Sequence, residues 1–417
     1  MGAGKVIVIG GGPAGMMAAG HAAQSGAQVV LLEKGHMLGR KLRISGKGRG
    51  NITNTAELQE FIEAFAPNGK FLYGAFSRYF REDLLTFLRK WGVQTKEERG
   101  GRVFPVSDRA GDVADAFERW MESVGVKIKL NTRVKSIDVE NGRVVGVSVF
   151  GGQMNADAVV LATGGASYPK TGSTGDGYAM AREVGHSIIV PKPALSGLIV
   201  EEQWAKDLQG LSLRNVQATL YQGTEDQHRR IDSEFGEMIF THFGISGPII
   251  LTLSRGVGEL LKNGNVYISI DLKPALSKEQ LHARLINDFK QVKIFKNYAR
   301  ELLPRMLAEM FPTLVKIDGD KPINTITVSE RTAIVDLLKD LRVRVLNLGS
   351  LEEAIVTSGG VPVKEIDPKT MMSKIVDGLF LAGEVIDIDA ITGGFNLQAA
   401  FSTGFVAGEA AAEFVVR

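Results

Sequence analysis

The sequence predicts an α/β protein built on a doubly wound parallel sheet that is discontinuous in the chain and carries a β-rich insert and a helical insert. Three observations carry that prediction. A short apolar run, Val6 to Ile9, passes through glycines into a small-residue helix. A second buried run, Ala158 to Leu161, ends in Ala162-Thr163-Gly164-Gly165. After a long stretch of different character, Gly378-Leu379-Phe380-Leu381-Ala382-Gly383-Glu384 repeats the pattern of an apolar strand ending in glycine and an acid. Continuous apolar runs of this length suit strands buried on both faces of a parallel sheet.

The first stretch sets the chemistry. Gly10, Gly12 and Gly15 have the GxGxxG spacing, with Pro13 and Ala14 opening a helix predicted to run from Ala14 to Ser25 and to stop at Gly26. The first glycine permits the turn, the second lets backbone approach a pyrophosphate, and the third lets the helix pack on the strand. Free N–H groups and the helix dipole then favour phosphate. The second strand, Gln28 to Leu32, ends at Glu33, eighteen residues past Gly15. That is close to the spacing of a ribose-hydroxyl acceptor. This is a Rossmann-like, dinucleotide-binding unit.

Composition bounds the rest. A chain of 417 residues with 44% hydrophobic and 23% charged residues is a globular protein of two or three domains. The net charge of +2 does not by itself argue for nucleic acid. No cysteine is present, which excludes disulfides, thiolate metal sites and a redox-active cysteine pair. No apolar run reaches the roughly 18 residues of a membrane span, and the N-terminus lacks a basic n-region and a cleavage site. A cytoplasmic protein is expected, with no membrane or nucleic-acid partner.

Beyond Glu33 and Lys34, the segment Gly39 to Asn54 is dense in glycine and basic side chains. Such a loop can wrap a dinucleotide with backbone donors and cations. Its candidates are Arg40, Lys41, Ser45, Gly46, Gly48 and Asn51. Helices are predicted over Phe80 to Trp91 and Asp112 to Val124. Strands follow over Val126 to Leu130, Val134 to Val139 and Val144 to Phe150, with Asn141-Gly142 as a hairpin turn. Thr171 to Gly177 reads as a helix-entry loop before Tyr178 to Val184, with Gly175 inside it and Asp176 near the cap.

Pro191 and Pro193 mark a boundary. Leu198 to Glu201, Val216 to Tyr221, Ile231 to Phe240 and Val266 to Asp271 read as strands. Gln280 to Phe289, Tyr298 to Phe311 and Ser329 to Leu341 read as helices, the last capped by Ser329. The expected domains are therefore 1–190 with 350–417, a β-rich insert over 191–274 on the substrate side, and a helical insert over 275–349. The C-terminal part brings Gly383, Glu384, Asp387, and Gly394, Asn396, Leu397 and Gln398 before a small-residue helix.

Several motifs together resemble one family. Gly46-Lys47-Gly48-Arg49-Gly50-Asn51-Ile52-Thr53-Asn54, Gly101-Arg102-Val103-Phe104-Pro105, Thr171 to Gly177, His242-Phe243-Gly244-Ile245-Ser246-Gly247-Pro248 and Thr392-Gly393-Gly394-Phe395-Asn396-Leu397-Gln398 resemble the bacterial aminoacetone oxidase-like flavoproteins. These are two-dinucleotide-binding-domain flavoproteins that include flavin reductases of the bile-acid pathway. The resemblance covers essentially the whole chain. It implies FAD, a discontinuous FAD domain, and two inserted domains. It also implies that Val134 offers backbone to adenine, that Glu384 holds the ribityl or pyrophosphate side, and that the helix near Gly394 aims its N-terminus at the flavin. One departure is Gly50, where the family usually has Cys.

Catalytic groups are less legible. No acid–His cluster or Ser-His-Asp arrangement can be read from spacing. His242, Ser246, Arg49 and Arg109 are pocket candidates, without an assigned step. The expected activity is FAD-dependent oxidoreduction of a small organic substrate, by amine oxidation or by reduction of an activated double bond. NAD(P)H could serve as a transient electron donor. The alternatives are a fumarate-reductase-like enzyme and, from another class, an FAD-containing RNA-binding or tRNA-modifying protein. No basic–aromatic stripe supports the last.

Overall fold

The computed structural model describes residues 4–65, 67–224 and 227–416. The chain divides into two compact units, Met1–Ala194 with Leu351–Arg417, and Leu195–Ser350.

The first unit is built on a five-stranded sheet. From one edge to the other its strands are Leu379–Leu381, Ala158–Leu161, Lys5–Ile9, Gln28–Leu32 and Lys127–Lys129, all parallel. The Lys5–Ile9 strand is central, so Val6 to Val8 have no exposed surface. Its helix, Pro13–Gln24, packs along the C-terminal helix Phe395–Val416. The approach is close enough that a Cβ on Gly404 would overlap the Ala14 carbonyl, and one on Gly408 the Ala18 carbonyl. The alanines and glycines of both helices are thus required by contact distance. Phe395–Val416 is 22 residues long and apolar enough to cross a membrane, unlike the expectation that no segment would be. However, 61% of its most apolar window is buried in the protein, as befits a core helix.

Arg81–Lys90 and Ala110–Ser123 form the expected helices, and Val134–Glu140, Arg143–Val149 and Gly152–Asn155 a small antiparallel sheet. Ile189–Ala194, which contains both boundary prolines, pairs antiparallel with Val356–Gly360.

The second unit contains a closed barrel. Its strands are Leu198–Val200, Ser212–Gly223, His228–Thr241, Gly244–Ser246, Val266–Asp271 and Leu341–Leu348. The helices Lys278–Asp288, Phe295–Leu302, Arg305–Val315 and Val328–Lys339 share one continuous core with it. Residue 274 therefore marks a change of secondary structure inside one unit, because barrel residues such as Ile268 and helix residues such as Leu285 pack in the same cluster. The helix expected from Tyr298 to Phe311 is two helices, broken at Leu303-Pro304, where proline removes an N–H and restricts the residue before it. The cap expected at Ser329 is Thr327, whose hydroxyl accepts from the Glu330 N–H at 3.2 Å. Leu341–Leu348 closes the barrel and does not extend a helix.

Candidate functional site

A cavity of about 510 Å³ opens in the first unit, at the carboxyl ends of the sheet strands. This is where open α/β sheets bind ligands. The three motif glycines do separate jobs there. A Cβ on Gly15 would overlap the Gly10 carbonyl oxygen, so Gly15 sets the helix–strand distance. Gly10 is left-handed (φ 106°), with the Ala162 carbonyl 2.5 Å from where its Cβ would stand. Gly12 alone has open space around its Cβ position, and it lines the cavity beside Pro13 and Ala14. That open space at a helix N-terminus is what an approaching phosphate needs.

Glu33 lies on the same wall. Its two carboxylate oxygens accept from the Gly11 and Gly35 N–H groups at 2.7 and 2.6 Å. The Thr132 N–H donates to its carbonyl at 2.9 Å, bringing Thr132, Arg133 and Val134 to the cavity. Removing the Glu33 carboxylate strands two backbone donors on the cavity wall. Glu33→Ala is expected to weaken dinucleotide retention by about tenfold to a hundredfold, in line with two lost charged hydrogen bonds. Unchanged affinity in a flavin fluorescence titration would remove Glu33 from the site.

Lys34 donates to Thr174 at 2.5 Å and pairs with Asp176 at 3.0 Å, while Arg133 pairs with Asp176 at 3.2 Å. Burial opposes ionisation of Asp176, but hydrogen bonds from Thr174 and Lys34 and the two nearby cations outweigh it. Its carboxyl is held below the usual range. Asp176 thus anchors two cations on the cavity wall. The helix it opens, Asp176–Glu183, starts earlier than expected, with Gly175 as its left-handed cap.

A second polar cluster surrounds Glu384. Its Oε1 accepts from the Thr357 N–H at 2.7 Å and from the Ser167 hydroxyl at 3.3 Å. Its Oε2 pairs with Lys41 at 3.1 Å, and Lys41 also donates to Ser167 at 2.7 Å. Burial and the Glu384 charge push the nearby Tyr178 phenol well above its ordinary pKa, keeping it neutral. The helix Phe395–Val416 begins at the cavity wall, where Asn396 and Leu397 lie. Asn396 braces the preceding loop through both backbone groups of Ala390.

The residues present fit an FAD-type dinucleotide. The fit rests on the open cradle at Gly12 and on Ser45, a cavity-lining residue whose hydroxyl is buried without a hydrogen-bond partner. Buried polar groups without partners mark an absent ligand or water.

Of the expected residues, Gly10, Gly12, Pro13, Ala14, Glu33, Lys34, Arg40, Lys41, Ser45, Gly46, Val134, Thr163, Gly164, Gly383, Glu384, Asn396 and Leu397 line the cavity. The others are outside the lining. Gly48 has open space around its Cβ position, and Gly165 packs on Thr357 and Glu384. Asn51 bonds Thr53 and Gly394, and Gly394 packs on the Thr53 backbone. Asp387 accepts from Gly359 and Asn68. Gln398 is fully buried and accepts from Thr53 at 2.7 Å. Gly50 is left-handed (φ 80°), and a side chain there would press on Ala110 at 3.0 Å.

The catalytic candidates are not brought together on this wall. Arg49 stacks on Phe104 at 4.4 Å and pairs with Glu98 and Asp108, which spends its charge outside the cavity. Arg109 is largely exposed and lies 3.7 Å from Asp112. His242 packs edge-on against Phe243, and Ser246 ends a barrel strand; both belong to the second unit. Sequence reasoning missed Thr357, whose strand pairing with Ile189–Ala194 carries no local signal, Ser167, whose N–H donates to it, and Tyr168, Ile44, Lys47 and Ile355 on the cavity wall. It also missed an acid–His–Ser constellation. His186 Nδ1 lies 2.9 Å from Glu365 and Nε2 2.9 Å from the Ser373 hydroxyl. Ser373 is buried and its oxygen already accepts from the Ile375 and Val376 N–H groups, so the constellation clips loops together.

Known proteins agree with this geometry. A 3-dehydro-bile acid delta(4,6)-reductase from Clostridium scindens is 30% identical over 98% of this chain and 99% of its own length. A ribosomal RNA dihydrouridine synthase from Escherichia coli K12 is 29% identical over 96% of each chain. Among solved structures, the open conformation of a flavocytochrome c3 fumarate reductase shares the fold, with a TM-score of 0.51 at 19% identity over 100% of this chain and 79% of that one. Residues 4–410 match the HI0933-like protein Rossmann domain, and the chain belongs to that family.

Proposed function

We propose that this chain is an FAD-dependent oxidoreductase that reduces a carbon–carbon double bond conjugated to a carbonyl in a small organic substrate. The observation that carries the reading is the cavity itself. Its lining combines the open Gly12 cradle, Glu33 and Ser45 with its unpartnered hydroxyl, and the N-terminus of Phe395–Val416 borders the same space. When bound, FAD supplies hydride transfer. The chain's own part is to hold and polarise. Glu33 fixes the ribose end, Lys41 is held in place by Glu384 and Ser167, and the helix N-terminus favours negative charge beside it. Reduction is preferred to amine oxidation because the three full-length relatives are named as a delta(4,6)-reductase and as dihydrouridine synthases.

A second substrate, uridine within ribosomal RNA, is favoured by the Escherichia coli relative and by a Haemophilus influenzae relative of the same name, 30% identical over 96% of each chain. The near-neutral charge of +2 keeps the small molecule first. We assign NAD(P)H as donor, reaching the flavin transiently, since the sequence has no second GxGxxG unit and no cysteine pair. The setting proposed is a reducing cytoplasm.

The test is anaerobic. FAD-loaded protein mixed with NADPH or NADH is expected to lose its yellow absorbance and to regain it with a 3-oxo-Δ4 steroid. Recovery only with ribosomal RNA would move the substrate to the second reading. Bleaching by a primary amine, with no recovery by either acceptor, would reassign the enzyme to amine oxidation.

A further inference from the structure

Ser45, whose hydroxyl is buried without a partner at the cavity, opens a loop with unusual backbone. Gly46, Lys47 and Gly48 are all left-handed, at φ 57°, 60° and 84°. Within the loop, the Gly50 N–H donates to the Ser45 carbonyl at 3.0 Å and the Arg49 N–H to the Gly46 carbonyl at 3.3 Å. Left-handed backbone at a residue such as Lys47 persists where the surroundings enforce it.

Arg49 supplies that enforcement from outside the cavity. All three of its guanidinium nitrogens are engaged. Nε and one terminal nitrogen donate to the same Asp108 oxygen at 2.9 and 2.7 Å. The two terminal nitrogens donate to the two oxygens of Glu98, one of them at 3.2 Å. The guanidinium also lies 4.4 Å from the centre of the buried Phe104 ring. Phe104 in turn meets the loop, because a Cβ on Gly46 would stand 3.3 Å from its ring and 3.0 Å from the Asn51 nitrogen. Asp108 is itself left-handed (φ 54°), and its other oxygen accepts from Lys96 at 2.7 Å. The hydrogen bond from Arg49 holds the Glu98 carboxyl below its ordinary range, and those from Lys96 and Arg49 do the same for Asp108. Single surface ion pairs are worth little, but an arginine fork shared by two carboxylates in a network is the exception.

Glu98 and Phe104 lie on the strands Thr95–Glu98 and Arg102–Pro105, which form a three-stranded sheet with Thr53–Asn54. On that third strand, Asn54 donates to the Gly393 carbonyl at 2.9 Å, just before Phe395–Val416 begins. The sheet is thus fastened to the cavity's frame, and Arg49 fastens the loop to the sheet.

We infer that Arg49 is a positioning residue for the dinucleotide: clamped by Glu98 and Asp108 over Phe104, it fixes the Ser45–Gly48 loop so that the Ser45 hydroxyl is presented to the cavity. This rests on the FAD reading of the cavity and not on the choice of substrate, and it is read by cofactor affinity.

The test is a cycle of FAD titrations into full-length apoprotein, followed by flavin fluorescence. Ser45→Ala is expected to weaken FAD about tenfold, the worth of one hydrogen bond. Arg49→Gln should weaken it by a similar factor. The double variant should be about as weak as the weaker single one, because both changes act on one hydroxyl. Arg49→Lys should recover little, since an ammonium keeps the charge but loses the fork and the stacking. Asp108→Asn, where asparagine tolerates the left-handed backbone, should reproduce the loss seen in Arg49→Gln. Losses that multiply in the double variant would show a merely structural role and overturn the inference, and full recovery by lysine would overturn it by showing that charge alone is used. FAD bound and reduced with wild-type affinity in Arg49→Gln would defeat this inference and leave the reductase reading standing. A wild-type protein that takes up no FAD would defeat the cofactor reading and this inference with it.

Discussion

Gly15→Ala should yield a protein that keeps no FAD and melts roughly 5–10 °C lower than wild type. The added methyl would overlap the Gly10 carbonyl oxygen, a backbone atom that cannot swing aside. The helix has little room to move, because Phe395–Val416 is pressed on it where Gly404 meets Ala14 and Gly408 meets Ala18, and Trp120 is pressed on it at Gly20. Overpacking of this kind costs about 1–3 kcal/mol or more, and each kcal/mol is worth about 2–4 °C in a unit of this size. Gly12→Ala is the paired control. Its Cβ position is empty and its φ of −82° is ordinary, so the unliganded protein should melt as wild type does. Its FAD affinity should still fall, because the methyl occupies the phosphate's approach. Equal melting of both variants would show that the strand–helix contact is softer than the geometry says. Full FAD affinity in Gly12→Ala would place the phosphates elsewhere.

Acid should destabilise the protein through His21. The ring is enclosed by Trp120, Tyr79 and Phe405, with centroids 4.9, 6.0 and 4.4 Å away, and its Nε2 has no hydrogen-bond partner. Burial lowers its pKa to about 4. The folded value lies below the unfolded one, so the unfolded chain binds the proton first. The stabilisation is complete above about pH 6.5 and is lost as the pH falls towards 4. Between pH 7 and pH 5 the loss should be about 2 kcal/mol, from 1.36 kcal/mol per unit below 6.5. Urea midpoints at the two pH values measure it, with the His21 variant as the reference for every other titrating group. His21→Phe should flatten the dependence. A variant whose midpoint falls with acid as steeply as wild type would show that another group carries it.

What could be read from the sequence was local. Val6 to Ile9, the three glycines, Gln28 to Leu32 and Glu33 are signalled within about thirty residues by period and spacing, and the structure places them on the cavity wall. What could not be read depends on distant partners. Asn51 and Gly394 looked like ligand contacts because they sit in glycine-rich loops, yet they bond to each other. Arg49 reads as a pocket candidate in its own glycine-rich loop, but its partners Glu98 and Asp108 come from another strand and turn. Leu341–Leu348 was taken for part of a helical stretch because its neighbours are helices, but barrel closure supplies the hydrogen bonds that make it a strand. Ser167 and Thr357 are separated by 190 residues and meet only once Ile189–Ala194 pairs with Val356–Gly360. No window along the chain contains that information.

The interrupted first unit also has a consequence for the order of events during synthesis. The second unit is contiguous, Leu195–Ser350, and has all its strands and helices once residue 350 is made. The first unit at that moment lacks the edge strand Leu379–Leu381, the acid Glu384 and the helix against which Pro13–Gln24 is packed. Domains generally fold as units while the chain emerges. Here the later-encoded unit is finished before the earlier one, and the nascent N-terminal half must wait with Val6 to Ile9 and its helix partly uncovered. Cofactor capture therefore waits on the helix Phe395–Val416: a ribosome stalled before Phe395 would carry a folded barrel and no FAD.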